Sequence, residues 1–140
     1  MANEFAYTDD ELLRIVMTYL SYVNSDGYEI CLFQNDYTPV PGMVDADLVE
    51  SDFPGYSRVG VGGGVWPSGV VDNVAIGTSP TTAVFTPSAN DAQLAYGYFV
   101  NDSGSGILSW AQLFPAPIPI VSGVPIIVTP RVKQKNCYDA

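Results

Sequence analysis

Alternating apolar and polar positions over most of the chain predict a series of short β-strands. In the first, at 28–34, Ile30 and Leu32 fall on one face while Cys31 and Phe33 fall on the other. Further strands are predicted at 74–77, 81–86, 92–100, 107–114 and 124–128. Because glycine and proline turns, and no long helical segments, separate these strands, the pattern favours an antiparallel β-sandwich or barrel of roughly seven to nine strands.

The segment at 92–100 alternates most clearly, and it places Tyr96 and Tyr98 on one face. A turn at 101–104 is expected to lead into 107–114 as its hairpin partner.

A second turn, at 79–80, is expected to join the strands at 74–77 and 81–86. Three segments rich in proline or glycine are predicted to be loops: 37–42, 60–69 and 114–119.

One segment has the period of an α-helix, at about residues 9–23. Thr8 and Glu11 form a capping-box pattern at its start, and residues 24–27 supply turn residues at its end. Its apolar positions are Leu12, Leu13, Val16, Leu20 and Val23. This face must pack against either the chain's own sheet or a neighbouring subunit. We therefore expect an N-terminal arm and helix at 1–27, a β-domain at 28–130 and a basic tail at 131–140.

Charged residues make up only 14% of the chain and hydrophobic residues 47%. So few charges suggest that a partner covers part of the surface, although a monomer with a large core and a Ser/Thr/Asn surface is the alternative. The net charge of −10 argues against nucleic-acid binding and against an anionic membrane surface. No apolar run approaches the length of a membrane span, and the first residues do not form a secretion signal. We therefore expect synthesis in a cytoplasm, with Cys31 and Cys137 as free thiols.

The remaining patterns do not predict an enzyme, a cofactor or a metal site. The chain has no histidine, which removes the usual base for a serine or cysteine nucleophile. The glycine run at 60–65 is not followed by the lysine of a phosphate-binding loop. The acidic stretch at 45–52 lacks the spacing of a calcium loop and is expected to form a solvated turn or short helix.

Several residues are candidates for a partner interface. Leu13, Val16 and Leu20 lie on the helical face, and Trp66 and Ile118 are apolar residues in predicted loops. Trp66 could equally cover the domain's own core. Three of the five basic residues occur near the end of the chain: Arg131, Lys133 and Lys135. They could bind an acidic partner or form a solvated terminus.

Nine tyrosines permit a second type of interface. Exposed tyrosines on a sheet or in loops stack on sugars in carbohydrate-binding modules. The alternative, which we favour, is that Tyr96 and Tyr98 are ordinary sheet residues with their hydroxyls at the rim.

The chain contains, in order, LFQNDYTPVPG (32–42), ESDFPGYSRVG (50–60), AYGYFVND (95–102), ILSWAQLF (107–114) and IIVTP (126–130). This order of segments resembles small structural proteins of tailed bacteriophages. The resemblance implies a virion protein, made in the host cytoplasm, that decorates or cements the capsid. Its partners would be the major capsid protein and further copies of itself, commonly as a homotrimer. The alternatives are a tail-associated host-adsorption module and a non-viral β-sandwich binding module.

Overall fold

The computed structural model describes residues 28–40, 42–61, 68–71, 74–79, 81–102 and 108–135. Nine strands occur in this part of the chain, and the residues before β2 include one short 3-10 helix, Asp45–Asp47. The strands are β1 (Tyr28–Phe33), β2 (Val59–Val61), β3 (Ser68–Val71), β4 (Val74–Thr78), β5 (Ala83–Phe85), β6 (Asp91–Asp102), β7 (Leu108–Ile120), β8 (Ile126–Val128) and β9 (Arg131–Lys135).

Every strand pairing is antiparallel, which confirms the prediction of a mainly antiparallel β protein. The orders are β2-β1-β6-β7, β3-β4-β9 and β5-β8. These sheets are open, so the predicted barrel alternative is wrong for the described strands. The predicted helix at 9–23 lies outside the described residues. Within these residues, no helix has the length and apolar character needed to cross a membrane.

Strand β1 is central and buried on both faces. Ile30 and Leu32 join one hydrophobic cluster, while Cys31 and Phe33 join another, as their alternation predicts. Along one edge β1 pairs with β6 over its whole length, but β2 covers only the first half of the other edge.

Residues 49–51 and a tyrosine hydroxyl cover the second half of that edge. Ser51 N–H donates to Leu32 O at 2.9 Å, and Gln34 N–H donates to the carbonyl of Val49 at 2.8 Å. The Leu32 N–H donates to the hydroxyl of Tyr56 at 3.1 Å. Backbone groups that would otherwise lie buried without partners are thus satisfied.

The first hydrophobic cluster, which we call the first core, joins the four-stranded sheet to the β5–β8 pair. Its members from β1, β2 and β6 are Tyr28, Ile30, Leu32, Val61, Ala95, Tyr98 and Val100. Those from β5 and β8 are Ala83, Phe85, Ile126 and Val128. The face of β5–β8 that carries these four residues is therefore the inner one.

Strands β4 and β5, which a turn at 79–80 was expected to join, lie in different sheets and do not pair with each other. Both instead pair with the end of the chain, β4 with β9 and β5 with β8. Between these two ladders, Ser79 N–H donates to Pro130 O at 2.8 Å, and the hydroxyls of Thr82 and Thr129 lie 2.9 Å apart. A basic tail was expected at 131–140. The first five residues of this segment form strand β9 and pair with β4.

Strand β7 includes the proline-rich segment that was expected to be a loop at 114–119. Pro115, Pro117 and Pro119 all lie within Leu108–Ile120. The strand tolerates them because it is at the edge of its sheet, where an absent N–H does not break a ladder on the outer side. The loop prediction was wrong because it treated proline as a strand breaker irrespective of sheet position.

A register shift in the β6–β7 ladder corrects the predicted faces of β6. Between Ala95 and Gly97, the partner on β7 changes from Ile118 to Leu113. As a result, Tyr98 belongs to the first core, while Tyr96 packs against the other cluster, so the two tyrosines do not share a face. The other cluster, which we call the second core, has Cys31, Phe33, Leu48 and Phe99 as its buried members.

The second core depends on a close approach at Gly97. A Cβ at this position would lie 2.6 Å from Cζ of Phe33 and would also collide with the backbone carbonyl of Gln112. Phe33 is fully buried and the carbonyl belongs to the neighbouring strand, so neither can move away freely.

We therefore expect Gly97→Ala to lower the free energy of unfolding by about 1–3 kcal/mol or more, as overpacking does in other cores. Urea denaturation monitored by circular dichroism measures the change. Gly60→Ala is the matched control, because Gly60 also lies in a strand but has no atom within 4 Å of its would-be Cβ. Equal stability of the two variants would contradict the close-approach account.

Candidate interaction surface

A single arginine joins the polar residues beside the edge of β1. The Nε and Nη2 atoms of Arg58 donate to the two carboxylate oxygens of Glu50 at 2.9 and 2.8 Å. Its Nη1 atom donates to Glu29 Oε2 at 3.2 Å. Tyr56 completes the group, because its hydroxyl donates to Glu50 Oε1 at 2.8 Å. Arg58 is thus paired with two carboxylates at a partly exposed position, and Tyr56 joins the group through Glu50.

The pKa values in this group follow from burial and from these contacts. Burial alone would raise the pKa of Glu50, but the hydrogen bonds from Arg58 and Tyr56 outweigh it and hold the pKa below its ordinary value. Burial is the main cause that raises the pKa of Tyr56. Burial also raises the pKa of the Cys31 thiol to about 12, with a further contribution from Glu50. At neutral pH Cys31 is therefore a neutral thiol and a poor nucleophile.

The acidic stretch at 45–52 is held by amide and backbone donors. Asp47 Oδ2 accepts a hydrogen bond from the Val44 N–H at 2.9 Å, and Asp52 Oδ1 accepts one from Gln93 Nε2 at 2.9 Å. The 3-10 helix Asp45–Asp47 confirms the predicted short helix for the first part of this stretch. Glu50 instead forms an isolated β-bridge with Phe33 and accepts hydrogen bonds from Arg58, so it does not lie in a solvated turn. Among the described residues, no group of three or more acidic or cysteine side chains has a geometry suited to a metal ion. This stretch therefore forms structural hydrogen bonds beside β1.

A different surface lies on the outer side of the β5–β8 pair. Val84 and Ile127 face each other in the ladder and are 53% and 62% exposed, whereas their strand neighbours are buried in the first core. Val121 and Val124 are also exposed, at 41% and 53%, in the turn that precedes β8. We call Val84 and Ile127 the neutral face.

The turn that carries Val121 and Val124 is fixed to the end of β5. The Gly123 N–H donates to Pro87 O at 2.9 Å, and the Ser122 N–H donates to the side-chain oxygen of Asn90 at 2.8 Å. The exposed valines of the turn are therefore held beside the strand pair.

The sequence around the neutral face contains no charge. No Asp, Glu, Lys or Arg occurs between Asp72 and Asp91, or between Asp102 and Arg131. Strands β5, β7 and β8 lie entirely within these two intervals. Val84 and Ile127 are thus exposed aliphatic residues on an uncharged strand pair. Val40, Val44 and Val49 are also exposed, but they lie among the acidic residues of the segment between β1 and β2.

Four of the eight residues predicted for an interface lie in the described part of the chain. Ile118 is half-buried and packs against the first core. Arg131 is exposed at the start of β9, opposite Thr78. The backbones of Lys133 and Lys135 continue β9 opposite Ile76 and Val74. Leu13, Val16, Leu20 and Trp66 lie outside the described residues.

Two tyrosines, Tyr98 of β6 and the loop residue Tyr56, are engaged within the protein. Tyr98 is buried and its hydroxyl donates to Gln112 Oε1 at 2.9 Å. Tyr56 stacks on Phe85, with ring centroids 5.7 Å apart. These contacts favour the interpretation of the tyrosines as structural residues.

Sequence reasoning missed Arg58 and the neutral face. Arg58 is the single basic residue between Arg14 and Arg131 in an acidic chain, so a search for its acidic partners would have identified the group. The uncharged intervals were visible as well, but only the pairing of β5 with β8 shows that Val84 and Ile127 are neighbours.

Comparison of the chain with protein-family models, with curated proteins and with solved structures found no match in any of the three.

The Glu50–Arg58 pair predicts a specific dependence of stability on pH. Since the pKa of Glu50 is lower in the folded state than its ordinary value of 4.5, the pair stabilises the fold fully above that value. This contribution falls as the pH drops from about 4.5 through the folded pKa. We expect Glu50→Gln to lower the free energy of unfolding by roughly 1–2 kcal/mol at neutral pH and by less in acid.

Urea titrations between neutral pH and acid measure this difference. Asp36→Asn controls for the loss of one negative charge, because it removes a carboxylate at an exposed position. If Glu50→Gln has the same effect at all pH values, the pair does not stabilise the fold through an ionised carboxylate.

Proposed function

We propose that the chain is a non-enzymatic structural protein of a phage virion, a decoration or cement protein that binds the outer capsid surface. Its architecture is proposed to be a β-sandwich with an N-terminal helix. The proposed partners are the major capsid protein and further copies of the chain, with a trimer favoured. By burying surface against several capsid subunits at once, such a protein would stabilise the shell through binding to the assembled state.

The observation that carries the proposal is the pair of exposed aliphatic side chains, Val84 and Ile127, on the uncharged strands β5 and β8. Exposed valine and isoleucine side by side on charge-free strands favour contact with protein. The order of segments that resembles tailed-phage structural proteins supports the same role.

Side chains that could support catalysis are instead used to hold the fold. Cys31 is buried with a raised pKa, and the carboxylate of Glu50 is occupied by Arg58. These arrangements support a structural role for the residues around β1.

We propose that the segments named as interface candidates from the sequence attach the protein to the capsid shell. Leu13, Val16 and Leu20 would supply an apolar helical face, and Trp66 would supply an aromatic anchor. The basic residues from Arg131 onward would add a weaker electrostatic contribution at the end of the chain. The host-adsorption alternative is less favoured, because Tyr56 and Tyr98 are engaged internally.

Attachment by apolar contacts predicts binding that resists salt. Raising the salt from roughly 0.1 M to 1 M shortens the Debye length from about 10 Å to about 3 Å and screens repulsion between acidic subunits. We expect the protein to remain on purified particles over this range, as measured by sedimentation and gel densitometry. Loss at high salt, together with loss of binding after Arg131→Glu, would show that the basic residues are the anchor.

The number of copies per particle tests the proposed location. A decoration protein should be present in hundreds of copies on the outer shell, as determined by quantitative mass spectrometry of purified virions. A few to dozens of copies at the tail would instead support the adsorption module, and absence from virions would overturn a virion role.

A further inference from the structure

The neutral face has the geometry of a contact surface and is built into a rigid part of the fold. Val84 and Ile127 project from paired strands whose alternate residues, among them Phe85 and Ile126, are fixed in the first core. Side chains on such a support lose little further backbone entropy when they are covered by a partner.

We propose that the neutral face binds the neutral face of a second copy of this chain. Each copy has a net charge of −10, so two copies repel each other wherever their acidic surfaces meet. The two strands of the layer that carries the neutral face, β5 and β8, contain no charged residue. In this layer, two copies can approach closely without placing carboxylates opposite one another.

Charge also argues for a second copy over a basic partner. A cation-rich protein would be drawn to the acidic residues near the β1 edge, where Asp36, Asp45 and Asp52 are exposed. It would gain no electrostatic attraction from Val84 and Ile127. An uncharged aliphatic surface is complementary to another surface of the same kind, so the contact is self-complementary and pairs two copies. It is separate from the contact that would build the proposed trimer.

The open strand edges favour association through this face rather than by strand addition. One outer edge of the four-stranded sheet is β7, where Pro115, Pro117 and Pro119 cannot donate to an added strand, and the other is the three-residue strand β2. On the β5–β8 pair, Pro87 and Pro125 stand next to the short strands and limit an extended ladder in the same way.

This inference adds a contact between copies to the proposed function. It rests on the proposed function only where it says that the contact is used in a particle. The contact itself belongs to the purified chain, so it can be tested without any virion. If self-association holds while virions lack the protein, the proposed function fails and the inference stands. If virions carry the protein but the purified chain remains monomeric, the inference fails alone.

The test is analytical ultracentrifugation of the full chain over a range from micromolar to millimolar protein. We expect reversible self-association that persists or strengthens in about 1 M salt, which screens the repulsion between surface charges. Ile127→Asp should weaken association by about tenfold or more, because it places an unpaired carboxylate in an apolar contact. Val40→Asp is the matched control, since Val40 is similarly exposed at 50% but belongs to the segment that follows β1.

A cysteine variant shows directly whether the faces meet. In a Cys137→Ser background, Ile127→Cys should give a disulfide-linked dimer under mild oxidation, whereas Val40→Cys should not. Both positions are exposed, so the substitutions should leave the urea midpoint close to that of the parent. A monomer at all concentrations, or association that is equally sensitive to Val40→Asp, would overturn the proposal.

Discussion

Strand β1 is buried on both faces, yet β2 accompanies only half of one of its edges. The unpaired half would leave buried N–H and carbonyl groups without partners, which is among the most unfavourable arrangements in a protein interior. The segment at 49–51 and the hydroxyl of Tyr56 supply those partners. Arg58 in turn fixes Glu50 and Tyr56 through the shared carboxylate, so the segment is held where β1 needs it. The central strand and the acidic polar group are therefore two parts of one arrangement.

This requirement also explains where the charge lies. The acidic stretch at 45–52 runs over the surface, and at 49–51 its backbone satisfies backbone groups at the edge of β1. It carries acidic residues such as Asp47 and Asp52, whose oxygens accept hydrogen bonds from Val44 and Gln93. The layer formed by β5 and β8 instead covers the first core, with every second residue of each strand buried. Its outer positions are left free for aliphatic side chains, and they form the neutral face.

The sequence predicted the parts of the fold that follow from local alternation. The two faces of β1 were correct because no bulge interrupts its ladder with β6. Tyr96 and Tyr98 were placed on the same face because a register shift cannot be seen in an alternating pattern. The proline-rich part of β7 was missed because its position at a sheet edge depends on strand order, which is a non-local property. The neutral face required the β5–β8 pairing for the same reason.

We propose that the chain associates through the neutral face while its charged surface stays in solvent. A cryo-EM reconstruction of the assembled particle tests this proposal, because it places every copy against its neighbours. We expect density for the protein on the outer shell, with Val84 and Ile127 covered by a neighbouring copy and Asp45 and Asp52 facing solvent. A reconstruction in which the neutral face is open to solvent in every copy would contradict it.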